Sequence, residues 1–369
     1  MSIRQRTSDN RPVRTLRLSV DPAHLDDRES RRAIAQAAEI LRHGGLVAFP
    51  TETVYGLGAN ALDAAAVARI FEAKRRPAWD PVIVHIAGPV AENRMLQNLV
   101  SEIPSRARDL MANFWPGPLT LLLPRSAPVP DTVTAGRALV GIRMPAHPVA
   151  FELILQAGAP IAAPSANAFG HISPTSALHV LEDLDGRIDA ILDAGPTEHG
   201  VESTVLDPNQ DPMMIYRPGA ITQQQLREIA GPVDYFQSPI RSHAVPREAL
   251  PSPGVGLRHY APRAELVLIK ASLSELPHLL TKKARRHPSE RIGLMLPDEI
   301  RVETIAASDP SVAIFPWGSW SNPEELARNL YAGLRALDAQ NCTLILCPVP
   351  PTDGLGAAIR DRLSKAARD

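Results

Sequence analysis

Four cationic side chains stand where the chain turns. Lys74 and Arg76 lie in Lys74-Arg-Arg-Pro77, Arg143 precedes Met144-Pro145, and Arg217 precedes Pro218-Gly219. Hydroxyls and amides occupy similar places in Pro50-Thr-Glu-Thr53, Pro164-Ser-Ala-Asn167 and Glu202-Ser-Thr204, and His85 closes the apolar run Val82–Val84. Ammonium and guanidinium groups give charge-assisted hydrogen bonds to phosphate oxygens, so this inventory suits a polyanion such as a nucleoside triphosphate. It would be bound without a phosphate loop. The sequence has no GxxxxGK[ST], HExxH or GxSxG, and Gly56-Leu-Gly58 lacks the third glycine of a dinucleotide fingerprint and reads as a turn. Each residue alone has a plainer reading. Lys74 and Arg75 complement a helix dipole, His85 is a core histidine, Arg143 is an ion-pair partner, and Ser165 and Asn167 bond their own turn. The coincidence of many such motifs favours the chemical reading.

Strand ends must bring these residues together, because ligands of α/β sheets sit where strand ends converge. Short apolar runs predict strands over Leu46–Phe49, Pro81–Ile86, Leu119–Leu123, Val140–Met144, Ser203–Leu206 and Met214–Tyr216. Helical spacing joins Ile34, Ala37, Ala38 and Leu41 up to Gly44-Gly45. Asp63 is placed to cap a helix through Val67 and Ile70, and His147-Pro148 opens another that ends near Gly158. Residues 236–263 are rich in proline and read as a semi-rigid linker, positioned to act as a lid. Beyond it, strands at Glu265–Ile269, Ile292–Leu296, Val312–Phe315 and Leu344–Cys347 alternate with helices, one of them starting at Asn322-Pro-Glu-Glu325. This predicts a smaller doubly wound α/β domain over 264–369.

A chain of 369 residues fits two domains. A net charge of −1 weighs against nucleic-acid binding as the main task, since that affinity rests on phosphate neutralisation. The two cysteines, Cys342 and Cys347, form no disulfide framework and fit a reducing, cytoplasmic setting. No apolar run is long enough to span a membrane. The Arg-rich start has no apolar run behind it, and residues 1–29 read as a poorly ordered extension of a catalytic domain at 30–235.

The stretch Gly44-Gly-Leu-Val-Ala-Phe-Pro-Thr-Glu-Thr-Val-Tyr-Gly-Leu-Gly58 resembles the signature of the YrdC family. So do Phe71-Glu-Ala-Lys-Arg-Arg-Pro77, Pro81-Val-Ile-Val-His85, Phe114-Trp-Pro-Gly-Pro-Leu-Thr120, Arg143-Met-Pro-Ala-His-Pro148, Pro164-Ser-Ala-Asn167 and Glu202-Ser-Thr204, in the family's order. Ser252-Pro-Gly254 with Arg258-His-Tyr-Ala-Pro262, and Gly354-Leu-Gly-Ala-Ala-Ile-Arg-Asp-Arg-Leu363, resemble the long subtype with an added C-terminal domain. The resemblance implies a YrdC-like twisted open sheet with helices on its faces, beside a Rossmann-like C-terminal domain. It implies that L-threonine, bicarbonate (or CO2) and ATP, with Mg2+ carried on the ATP, give threonylcarbamoyl-AMP and pyrophosphate. The product would pass to a tRNA threonylcarbamoyl transferase for N6-threonylcarbamoyladenosine at position 37, with a weak tRNA contact. By the same resemblance, Thr53, His85, Arg143, Ala163 and Ser203 line the threonine site. Lys74, Arg76, Asp80, Leu139, Ser165, Asn167, Ser173 and Arg217 surround the nucleotide, and His259 and Tyr260 close over it from the linker. Lys74, Arg76 and Arg143 would be the catalytic cations, screening two anions held together. The family has Asn where this chain has Asp80, a departure that leaves a carboxylate near phosphates, and Phe169 replaces a family hydroxyl. Two other readings stand beside this one. An RNA-binding module is opposed by the net charge. A carbamoyltransferase of the hydrogenase-maturation type is opposed by the small number of cysteines and the chain length.

Overall fold

The computed structural model describes residues 14–237, 250, 252, 260–301 and 312–367. Among them, eleven strands form the larger sheet. The strand β1 (Leu16–Ser19) pairs in parallel with β8 (Ala190–Asp193), which in turn pairs with β2 (Val47–Pro50). The segment read as an N-terminal extension therefore gives an edge strand to the sheet, and helix α1 (Arg28–Arg42) begins before residue 30. Residues 1–13 lie outside the described residues, as do most of the linker and His259.

Gly56-Leu-Gly58 is not a turn. It belongs to a strand, β3 (Tyr55–Asn60), antiparallel to β2 with Phe49 opposite Gly56 and Val47 opposite Gly58. The glycines serve close packing. A Cβ on Gly58 would lie 2.7 Å from Phe49 Cε1 and 2.9 Å from Ile161 Cγ2. The tight loop between these strands is built by Thr51. Its Oγ1 accepts from the backbone N–H of Thr53 and Val54 and donates to Val54 O at 2.7 Å.

The rest of the sheet follows from short apolar runs. β4 (Ile83–His85) is parallel to β6 (Leu139–Arg143) and antiparallel to β7 (Ile161–Ala162). β5 (Leu119–Pro124) joins β6 to β9 (Thr204–Asp207), followed by β10 (Met213–Arg217) and β11 (Val233–Tyr235). Both faces are covered, as alternation along one strand shows. Val47 and Phe49 pack with Ile34, Leu41 and the helix α6 (Pro148–Ala157). Their neighbours Leu46 and Ala48 pack on the opposite side with Val67 and Ile70 of α2 (Ala64–Lys74). The caps read at Asp63 and His147 are made. Asp63 accepts from Ala65 and Ala66 N–H, and His147 Nδ1 accepts from Val149 N–H.

The second sheet has four parallel strands in the order β12 (Glu265–Ile269), β15 (Leu344–Pro348), β13 (Ile292–Pro297), β14 (Val312–Gly318). Leu276 and Leu280 of α9 (Leu276–Arg285) fill one face, while α10 (Pro323–Ala339) and α11 (Gly356–Ala366) fill the other, so the domain is doubly wound. The second of these cores continues into the larger domain through Val54, Ile172, Val201 and Tyr260. The two domains also meet closely at Gly200, where φ is +70° and a Cβ would lie 2.5 Å from Ala327 O, leaving no room for a side chain.

Candidate active site

Strand pairing assembles the site. His85 and Arg143 are register partners on β4 and β6, so two residues far apart in sequence stand side by side. Ala163 follows β7 and donates its N–H to Ile83 O at 2.8 Å, and Ser165 bridges to Gly56 of β3. Ser203 enters β9, and Arg217 ends the antiparallel β10 beside it. Together with Thr53, Arg76 and Tyr260, these residues line one pocket.

The pocket's charges are held by fixed partners. Arg143 is an ion pair with Glu52 at 2.7 Å, and it donates to Thr53 Oγ1 at 2.8 Å and to Gly117 O at 3.2 Å. Burial pushes the Glu52 carboxyl up, but the adjacent guanidinium outweighs it and holds the group below its ordinary value. Burial, and then the charge of Arg143, push His85 down to about 3, so its imidazole is neutral. Its Nδ1 makes no hydrogen bond among the described residues. Arg217 donates from Nε to Ser203 O and from its terminal nitrogen to Ser203 Oγ, both at 3.0 Å, and that hydroxyl shares a 2.8 Å hydrogen bond with Thr120.

Arg76 pairs with Asp80 at 2.9 Å and donates to Pro81 O at 2.7 Å. A carboxylate can sit near the cations because arginine matches its charge. Burial still pushes the Asp80 carboxyl up, against the lowering effect of Arg76 and Lys74.

Several residues expected around the nucleotide stand elsewhere. Lys74 is buried and donates its ammonium to the carbonyls of Ser165 and Asn167, fixing the Pro164–Asn167 loop. Burial, with Arg76 close by, pushes it well below the usual lysine value. Asp80 lies behind Arg76. Asn167 donates to Ala168 O and His171 O, and Ser173 donates to Glu202 Oε1 at 2.5 Å. Leu139 starts β6, at the far end from Arg143, beside Ile83 and Leu122. Phe169 packs edge-to-face on Trp79. Tyr260 is buried in the wall, whereas His259 lies outside the described residues.

Other lining residues carried no individual role in the sequence reading. Thr51, Val54, Gly56 and Pro164 belong to the pocket, as does Glu202. Glu52 and Glu202 stand within the sequence motifs but carried no assigned role. An acid placed one residue from Thr53 and one from Ser203 was the available signal, because cations at strand ends need buried counter-charges.

Fold and pocket define a two-domain α/β protein with a pocket at its strand ends lined by Arg76, Arg143 and Arg217. Residues 39–219 match the family model described as telomere recombination, and residues 221–368 match that of the threonylcarbamoyl-AMP synthase C-terminal domain. The threonylcarbamoyl-AMP synthase of Pyrococcus abyssi is 43% identical over 332 residues, 90% of this chain and 93% of the relative. That of Bacillus subtilis is 43% identical over 335 residues, 90% and 92% of the two chains. The crystal structure of Pyrococcus abyssi Sua5 complexed with L-threonine superposes with a TM-score of 0.83 at 41% identity, covering 96% of this chain and 98% of that one. The chain belongs to the threonylcarbamoyl-AMP synthase family, in its two-domain form.

Proposed function

We propose that the chain joins L-threonine, bicarbonate and ATP into threonylcarbamoyl-AMP, releasing pyrophosphate, as a nucleotidyltransferase. The observation that carries this reading is the convergence of Thr53, His85, Arg143, Ala163 and Ser203 with Arg76, Ser165 and Arg217 on one pocket. A threonine carboxylate finds Arg143 and Thr53 at one end, and phosphates find Arg76 and Arg217 at the other.

The chemistry needs no nucleophile from the protein. The threonine amine takes up bicarbonate with loss of water to give a carbamate. A carbamate oxygen then attacks the α-phosphorus and pyrophosphate leaves. The pocket's task is to hold two anions in line, and well-oriented reactants can gain about 7–11 kcal/mol over free encounter. Arg143 is pre-set by Glu52, and Arg76 by Asp80, so neither must reorganise as charge builds. Neutral His85, packed edge-on against Phe49, lines the pocket without adding a like charge beside Arg143. Lys74 supports the Pro164–Asn167 loop, and through it Ser165. Magnesium enters as part of the Mg–ATP substrate. The carboxylates of Glu52, Asp80 and Glu202 each face an arginine, which fits a metal delivered by the nucleotide.

The product would pass to a tRNA threonylcarbamoyl transferase, with any tRNA contact here weak, and the protein would work in the cytoplasm. No helix of the described residues is long and apolar enough to cross a membrane. With ATP and Mg2+, the purified protein is expected to release pyrophosphate when threonine and bicarbonate are both present. Release that ignores threonine would sink the assignment.

A further inference from the structure

Glu202 and Arg217 line the same pocket and both are buried. A carboxylate so placed is a natural partner for that guanidinium, and an Arg217 neutralised by it would offer less field to a phosphate. The two charges attract, yet the carboxylate makes its hydrogen bonds elsewhere. Arg362 of α11, in the C-terminal domain, places Nε 2.8 Å from Glu202 Oε2. Tyr331 of α10 donates its hydroxyl to the same oxygen at 3.0 Å, and Ser173 holds the other. The Arg362 guanidinium also donates to Pro218 O at 2.8 Å, next to Arg217, and lies 5.4 Å over the ring of Tyr260, which stacks on Tyr331 at 5.7 Å. Arg217 makes its hydrogen bonds to Ser203.

We infer that Arg362 is a positioning residue for the nucleotide half of the reaction: from the C-terminal domain it holds Glu202, so that Arg217 is available to the triphosphate. One fork grips the loops that carry Ser203 and Arg217 together with Tyr260, so the catalytic pocket is completed by the domain that carries none of its reacting groups. This rests on the function proposed above, with Arg217 on the nucleotide side. Removing Arg362 turns the Glu202 carboxylate toward Arg217 and removes that cation from ATP binding, while Arg143 and Thr53 of the threonine end are left in place and only Ser203, which Arg217 holds, feels the change.

The test uses the full chain and steady-state pyrophosphate release, with the folded state of each variant checked by thermal unfolding. Arg362→Met is expected to raise the KM for ATP about tenfold or more, the scale of a lost buried charge contact, and to move the KM for threonine by less than about threefold. Adding Glu202→Gln to it removes the stray charge and is expected to lower the ATP KM at least about threefold from that of Arg362→Met. Should Arg362→Met not fold, Arg362→Gln, which keeps volume and a donor, carries the same comparison. An unchanged ATP KM overturns the inference. So does an equal loss at both substrates that Glu202→Gln does not rescue, since that marks a merely structural contact. A wild-type protein without threonine-dependent release overturns the function itself, which keeps the two failures distinguishable.

Discussion

Arg143 is anchored on three sides, to Glu52, Thr53 and Gly117, and this decides which substitution is informative. Arg143→Ala would leave Glu52 buried without its counter-charge, an error costing about 3–5 kcal/mol of stability, so lost activity in that variant would mix two causes. Arg143→Lys keeps the charge beside Glu52 but loses the fork that reaches Thr53. The expected outcome is a thermal midpoint near wild type with kcat/KM reduced about a hundredfold, the size of effect that follows from misplacing a bound reactant by an ångström. Near wild-type turnover in Arg143→Lys would show that the fork does not bind substrate. His85, its neighbour, gives a second prediction. Because burial and Arg143 push it to about 3, its imidazole resonances are expected to show no titration between about pH 8 and 5. A histidine titrating near its ordinary value of 6.5 would mean that the site is open to water and that the Arg143 charge is screened.

Among the elements, the hairpin of β2 and β3 carries Thr53, and its strand pairing depends on Gly58. Gly58→Ala drives a methyl against the Phe49 and Ile161 side chains, so an overpacking cost of about 1–3 kcal/mol is expected in chemical denaturation. Since Phe49 also supports His85, the same variant is expected to raise the KM for threonine. A variant as stable as wild type would mean that the two strands part easily. This strand also shows where sequence reading runs out. Two glycines in Gly56-Leu-Gly58 look like a turn because their packing partner, Phe49, comes from another strand and cannot be seen locally. Strands with continuous apolar runs, such as β5 and β13, were legible, as were the caps at Asp63, His147 and Asn322. The helix α8 (Gln223–Ala230) was not, although Thr222 and Gln225 form a capping box, because Leu226 is its one buried residue and leaves no periodic signal. In the site, residue types and strand ends pointed to the pocket liners. That Lys74 bonds to carbonyls, and that Leu139 sits at the far end of its strand, depends on tertiary distances no spacing encodes.

At the scale of the molecule, the two domains are joined by charges as well as by apolar packing. Arg335 reaches Glu182 and Asp183, Arg328 donates to Glu198 O at 3.0 Å, and Arg362 meets Glu202. The last of these makes docking depend on pH in a defined direction. Burial raises the Glu202 carboxyl, but Arg362 and Arg217 outweigh it and bring the group from 4.5 down to about 2. A carboxyl with a depressed folded pKa contributes stability that is fully present above the unfolded value of 4.5 and is lost as pH falls toward 2. The partners Arg362 and Tyr331 come from the C-terminal domain, so what weakens is the hold of one domain on the other. Comparing wild type with Glu202→Gln cancels the other titrating groups. The stability difference in chemical denaturation is expected to be flat from about pH 8 to about 5.5, then to shrink with a slope of no more than about 1.4 kcal/mol per pH unit, the limit for one proton. A difference that stays constant down to about pH 3 would show that Glu202 is not held ionised by the C-terminal domain. That outcome would remove the electrostatic reason for Arg362 to govern the pocket, even if its packing on Tyr260 remained.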